Sequence, residues 1–193
     1  APLPGLSAIW SSGARVYRAL GRIGRAYGVS SWDEAARAIE DATRDGTPVR
    51  ELQYWGHGRF GCVLVDRERI DRSALGRARF VAALTERLER RDDALVWLRT
   101  CEAFGGHVGH DFARALAEAT GVRVAGHTYV IGFWQSGLHG LAPGAQPTWD
   151  PAEGIGRGTA AAPELGAWST PHEPHTIHAL EGSVPPAWFD RGR

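Results

Sequence analysis

The sequence predicts an α/β fold, a three-layer sandwich in which helices flank a mainly parallel sheet. Short apolar runs alternate with amphipathic segments over residues 6–126, the grammar of strands joined by crossover helices. Ala94–Leu98 (ALVWL) is apolar at every position, as a strand covered on both faces must be. The composition, 43% hydrophobic and 23% charged over 193 residues, is that of one globular domain.

Taken in order, Leu6–Trp10 (LSAIW) reads as a strand that turns at Ser11-Ser12-Gly13. Arg15–Tyr27 then places Val16, Leu20, Ile23 and Tyr27 at helical spacing, with Gly28 as its stop. Ser31 and Glu34 form a capping box for a second helix, which carries Ala35, Ala38, Ile39 and Ala42 and stops near Asp45-Gly46. Glu51–Trp55 (ELQYW) is a strand that runs into Gly56-His57-Gly58, and Cys62–Asp66 is a short strand of a hairpin. Arg79–Arg90 is an amphipathic helix facing inward through Phe80, Ala83, Leu84 and Leu88. After the Ala94–Leu98 strand, His110–Thr120 forms a helix that ends at Gly121, and Val122–Ala125 forms a further strand.

Beyond Gly126 the chain is rich in Gly and Pro and lacks periodicity, apart from Tyr129–Trp134 (YVIGFW), which reads as a strand. Trp134, Trp149, Trp168 and Trp188, four of the chain's eight tryptophans, lie there. A disordered tail is poor in aromatics, so residues 127–193 read as ordered loops wrapped over the core at 6–126, within one domain of 1–193. No internal repeat is visible.

Absences exclude whole classes of chemistry. The 22 basic residues are all Arg, and the chain has no Lys, Asn or Met. Without Lys there is no Walker A loop, Schiff-base nucleophile, kinase lysine or Ser–Lys dyad. Without Asn there is no Cys–His–Asn triad. The 22 acidic residues balance the charge, which gives no global field for nucleic acid or an anionic membrane as partner. The apolar runs fall well short of the roughly 18 residues of a membrane span. Ala1–Gly5 lacks the flank of a signal peptide, which points to a reduced, cytoplasmic protein with two separate thiols, Cys62 and Cys101.

Ligands of an open parallel sheet bind beyond the carboxyl ends of its strands. Two chemically capable residues sit there: His57 after one strand and Cys101 after another, 44 positions apart. That separation, one hairpin and one helix, brings neighbouring parallel strands to one edge. An imidazole beside a thiol takes its proton and makes a thiolate able to attack a carbonyl. Gly58 permits close approach of a backbone N–H, which with the N–H of Cys101 would stabilise an oxyanion.

The runs Leu52-Gln53-Tyr54-Trp55-Gly56-His57-Gly58 and Leu95-Val96-Trp97-Leu98-Arg99-Thr100-Cys101 resemble the caspase-like cysteine peptidases, in a bacterial branch of that fold. The segment from Cys101-Glu102-Ala103-Phe104-Gly105-Gly106 into a helix adds to the likeness, which covers residues 6–126. The resemblance implies His57 as general base and acid, Cys101 as nucleophile, and Gly58 and Cys101 as the oxyanion hole. It implies a protein or peptide substrate and no cofactor or metal. Relatives with basic specificity carry Asp two places before the Cys, where this chain has Arg99. Arg99 therefore either selects an acidic substrate residue or faces a carboxylate of its own protein. Thr100, Glu102, His127 and Trp134 complete the candidate substrate contacts, with Trp149 as a second apolar wall. The alternative for these aromatics is that they cap the sheet.

Other signals read as structure. Cys62 is a packed hydrophobe. His107, His110 and His127, with His57 and Cys101, are the residues of a zinc-hydrolase alternative that no ligand-spacing motif supports. His172, His175 and His178 would share one side of a polyproline II segment. The Arg-rich helix over 77–91 is neutralised by Glu86, Glu89, Asp92 and Asp93. The function predicted is a cysteine endopeptidase, with a non-catalytic binding or scaffold module as the alternative; the oligomeric state is left open.

Overall fold

The computed structural model describes the backbone of residues 6–190 and the side chains of residues 13–189. Helices α1 (Leu6–Ala19) and α2 (Trp32–Ala42) come first, then strands β1 (Glu51–Trp55), β2 (His57–Arg59), β3 (Cys62–Val65) and β4 (Glu68–Asp71). Helix α3 (Arg79–Arg87), strand β5 (Leu95–Arg99), helix α4 (Gly106–Thr120) and strand β6 (Arg123–His127) complete the α/β alternation. Short strands follow: β7 (Trp134–Gln135), β8 (Leu138–Leu141), β9 (Ile155–Gly158), β10 (Pro163–Gly166), β11 (Ile177–His178) and β12 (Phe189–Asp190). The Ala1–Gly5 start lies outside the described residues.

The central sheet has the order β1-β5-β6-β8-β12. β1, β5 and β6 are parallel, β8 is antiparallel to β6, and β12 is parallel to β8. The fold is thus mixed α/β with a mainly parallel sheet and four α-helices among the described residues. None of those helices is long and apolar enough to cross a membrane.

Alternation along β5 divides the core. Val96 and Leu98 face α2, α3 and α4, packing with Trp32, Ile39, Phe80, Leu84, Phe112 and Leu116. Leu95 and Trp97 face the other way, onto Ala125, Leu138, Ile177, Val184 and Phe189. Helices α2–α4 therefore cover one face, while α1 and the chain after β6 cover the other. The two flanking layers are not alike: the second is built largely from loops and short strands, because β6 is followed by no further crossover helix.

Several elements match the sequence pattern. Ser31 caps α2 by accepting from the Glu34 N–H at 3.1 Å, although the Glu34 carboxylate returns to Ser30 and not to Ser31. Gly121, at φ +68°, closes α4 as expected. Others differ. Leu6–Trp10 is not a strand but the start of α1, so the sheet edge is β1 and not a strand near Leu6. Five apolar-rich residues fit either period, and the turn-like Ser11-Ser12-Gly13 stays helical because Trp55 packs where a Gly13 side chain would stand. The helix expected to reach Tyr27 stops at Ala19. Gly21, at φ +66°, donates to Arg18, and Arg22 donates to Tyr17, a Schellman ending. Helix α4 begins at Gly106, one turn before His110. Tyr129–Trp134 is no strand beyond the single Val130–Trp168 bridge and Trp134 of β7.

Strands β8 and β12 of the C-terminal segment complete the sheet. Strand β8 is fully buried, and its Gly140 leaves room for the Phe189 ring of β12. Glu153 pins this layer: one carboxylate oxygen accepts from His139 Nε2 at 2.7 Å and from Thr128 Oγ1 at 2.7 Å. Burial alone would push the Glu153 carboxyl up, but the His139 and Thr128 contacts outweigh it and hold it below the ordinary range. Its stabilising contribution is therefore complete above the usual glutamate range and is lost as pH falls through the lowered folded value. Hydrogen exchange of β8 amides should accelerate over that acid interval in the parent, and Glu153→Gln should remove the acid-dependent step.

Candidate active site

Strand register sets the site. Trp55, the last residue of β1, pairs with Arg99, the last residue of β5. His57 and Cys101 each lie two residues further on, so the two chains leave one edge side by side. After Trp55 the chain reverses at Gly56 into the β2–β3 hairpin, where Gly58 pairs with Val63. Gly58 lies flat against the turn that carries Cys101. A side chain there would collide with the Cys101 carbonyl oxygen and with Thr100 Oγ1. The hairpin tip is fixed by a second tie, Gly61 N–H to the Ala103 carbonyl at 3.2 Å. His57 is exposed and Cys101 half-buried at this edge.

The thiol sits 3.9 Å from the Ile131 carbonyl, to which it donates. Burial pushes the Cys101 thiol above its ordinary value, and the adjacent Glu102 charge adds to this. Glu102 adopts φ +57°, the left-handed region, at a cost of about 1–3 kcal/mol for a residue with a side chain. Its backbone N–H donates to the Tyr129 carbonyl at 3.0 Å, and Oε1 accepts from Gly166 N–H at 3.0 Å. Burial raises the Glu102 carboxyl, against the opposing pull of the Gly166 N–H and Arg59.

Arg99 is not available to a substrate. It is 4% exposed, and its five N–H donors are all committed to its own chain. Nε and Nη2 hold Gln135 Oε1 at 3.1 and 2.8 Å, and Nη1 reaches Tyr17 Oη at 2.7 Å and the Glu181 carbonyl at 2.9 Å. The fifth goes to the Ala179 carbonyl at 3.2 Å. The guanidinium also lies 4.3 Å from the Trp97 ring centroid and 4.8 Å from that of Trp55. Arg99 thus neither selects an acidic substrate residue nor bonds a carboxylate of its own protein.

The other expected contacts divide. Thr100 and His127 are fully buried, and Glu102 is 7% exposed, so none presents its side chain to an arriving peptide. Thr100 Oγ1 is buried without a hydrogen-bond partner beside Gly58. His127 Nδ1 lies 3.1 Å from the Ser136 carbonyl, and burial lowers its pKa to about 3, so the ring is neutral. Trp134 remains exposed, edge-on to Phe133 at 5.2 Å between centroids. Trp149 is core rather than wall, stacked between Phe104 and His139. Trp168, 71% exposed and bridged to Val130, is the aromatic that sequence reasoning passed over.

Cys62 is buried and packed, with its thiol pushed up by burial. His110 packs on Trp149 and faces His107, and among the described residues no three His, Cys, Asp or Glu side chains form a group fit to hold a metal ion. His175 has φ +45°, which breaks the polyproline II alignment expected for His172, His175 and His178. Surface concavities lined by Arg25, Tyr27 and Asp45, and by Arg69, Asp71 and Val108, include neither His57 nor Cys101.

A family model described as a domain of unknown function, DUF4347, matches residues 23–139. The chain belongs to the DUF4347 family. The match spans α2 to the start of β8, so it holds both His57 and Cys101 and leaves β9–β12 outside. No curated protein and no solved structure matches the chain.

Tyr17, Gln135 and Gly166 are the supporting residues that the sequence did not reveal. They lie 82, 36 and 64 positions from the groups they bind, and no local pattern marks such pairings. Arg99→Leu should lower stability by about 3–5 kcal/mol in urea unfolding, because it strands Gln135, Tyr17 and two carbonyls. Arg99→Lys should recover little, since an ammonium has three donors and no planar fork.

Proposed function

We propose that this DUF4347 member is a cysteine endopeptidase of caspase-like fold. The observation that carries the reading is the paired exit of His57 and Cys101 from adjacent parallel strands, with Gly58 pressed against the Cys101 carbonyl. His57 takes the Cys101 proton, and the thiolate attacks the substrate carbonyl carbon. The tetrahedral intermediate collapses as the proton passes from His57 to the leaving amine, which leaves an acyl-enzyme. Water, deprotonated by His57, then releases the acid and restores the thiol.

Hairpin geometry supports the oxyanion role of Gly58. Counting from the two-residue turn Phe60-Gly61, Arg59–Cys62 is a hydrogen-bonded pair and Gly58–Val63 a non-bonded one. The Gly58 N–H therefore points away from β3, the side from which it would meet a substrate oxyanion together with the N–H of Cys101. Two free thiols suit a reducing, cytoplasmic setting. A protein or peptide is the substrate class; neither nucleic acid nor membrane is required.

A second reading, a binding or scaffold module on the same fold, is favoured by one observation: the surroundings of Cys101 raise its thiol. The two separate by experiment. The parent, Cys101→Ala and His57→Ala are incubated with a proteome-derived peptide library, and products are read by mass spectrometry. Cuts by the parent alone, slowed at least about 10³-fold in both variants, establish the peptidase. Their rate should climb above neutral pH as the raised thiol ionises. No cuts by either the parent or Glu102→Gln, in which the charge beside Cys101 is gone, would assign the chain to the scaffold class.

A further inference from the structure

The residue after the candidate nucleophile breaks three local preferences at once. Glu102 is a charged side chain only 7% exposed, on a backbone at φ +57°, beside a thiol whose ionisation its charge opposes. A glycine or asparagine would hold that turn with less strain. The contacts of the carboxylate identify what it does there.

Those contacts lead to one segment, residues 155–169. The hairpin β9–β10 ends at Gly166, whose N–H donates to Glu102 Oε1, and a Cβ on Gly166 would run into that carboxylate. Beyond Gly166, Ala167 bonds back to Gly154 at 2.8 Å and accepts from Val130 at 2.9 Å, while Ser169 donates to the Val130 carbonyl at 2.9 Å. Val130 precedes Ile131, whose carbonyl receives the Cys101 thiol. At its other end the hairpin reaches the start of α4, where His107 N–H donates to the Ala160 carbonyl at 2.9 Å. The strap thus surrounds the candidate nucleophile turn; Glu102 supplies one side-chain bond that fastens it, and Ser169 Oγ, accepting from Ser136 N–H at 3.0 Å, supplies another.

We propose that Glu102 is a positioning residue for Cys101: its buried carboxylate fastens the 155–169 strap over the nucleophile turn and holds the thiol in a quiescent state. Two effects follow from one side chain. The bond to Gly166 keeps the strap, and with it the Ile131 carbonyl, against the sulfur. The negative charge, facing Arg59 from the hairpin side, disfavours the thiolate. Release of the strap would relieve both.

This inference concerns the same cysteine as the peptidase reading and rests on that reading for its consequence, but its test does not need cleavage. Cys101 alkylation by iodoacetamide is followed from pH 6 to 10 in the intact chain, with mass mapping to separate it from Cys62. The charged groups acting on this turn are Glu102 and Arg59, and His57 lies at the same strand edge. Glu102→Gln keeps an acceptor for Gly166 and removes the charge. The alkylation midpoint should fall by about one pH unit, and the neutral-pH rate should rise roughly threefold to fourfold once the lower nucleophilicity of a more acidic thiol is counted. Gly166→Ala keeps the charge and drives the carboxylate off its bond. Limited proteolysis within 158–163 should then quicken, and alkylation should rise as well. The far-ultraviolet spectrum and thermal midpoint check that each variant folds. Folded Glu102→Gln and Gly166→Ala proteins with the parent's alkylation profile would overturn the proposal. Failure of the parent and of the folded Glu102→Gln and Gly166→Ala proteins to cut any peptide would overturn the peptidase reading alone.

Discussion

A guanidinium cannot be taken out of water unless each of its donors is met, and the burial of Arg99 imposes that condition on half the molecule. Its acceptors come from three places distant in sequence: Tyr17 of α1, Gln135 of β7, and the carbonyls of Ala179 and Glu181. The rings of Trp55 and Trp97 supply the faces of the slot. Tyr17 Oη in turn donates to the Ala179 carbonyl, so the acceptors are tied to one another as well as to the charge. The second flanking layer is irregular in backbone, yet its position is fixed, because moving any acceptor would expose a buried charge to an unpaired environment.

The same group orders the candidate site. Arg99 ends β5 two residues before Cys101, and Trp55 ends β1 two residues before His57. Arg99 stacks on Trp55, and Trp55 is held edge-on by Tyr17 at 5.0 Å between centroids. Thus the two strand ends that deliver the thiol and the imidazole are clamped by one stack beneath them. Rigidity below the edge is what allows Gly58 to approach the Cys101 carbonyl so closely above it.

Much of this was legible in the sequence, and the exceptions share a cause. Elements with a strong period or a specific stop were clear: α2 with Ser31 and Glu34, α4 with Gly121, and β5 with its unbroken apolar run. The edge positions of His57 and Cys101 followed from strand ends alone. What misled was context. Leu6–Trp10 has too few residues to show a period, and α1 forms there because Trp55 and Arg99 receive its Gly13 and Tyr17. Strand β8 contains His139 and Gly140, poor strand formers in isolation, which are needed for Glu153 and Phe189. Arg99 looked like a specificity residue because the caspase-like resemblance sets it where relatives with basic specificity carry Asp. Its four partners lie at least 36 positions away, beyond the reach of any local pattern.

The protonated resting thiol is the point at which structure and proposed chemistry pull apart, and free energy sets the scale of the gap. Each unit by which the thiol is raised costs about 1.4 kcal/mol to overcome when the thiolate forms. Burial is the largest cause at Cys101, with the Glu102 charge beside it. A substrate carbonyl seated over Cys101 does not reverse burial, since it excludes more water. On the proposed peptidase reading it would bring the reacting carbon next to the sulfur, so that proton transfer to His57 and attack would occur within one complex and no free thiolate would need to accumulate. Catalytic hydrogen bonds that are loose in an empty site tighten only in that complex. Glu102 is the charge that adds to burial in raising the thiol, and its carboxylate accepts from Gly166 N–H in a segment that supplies none of the acceptors of the Arg99 clamp.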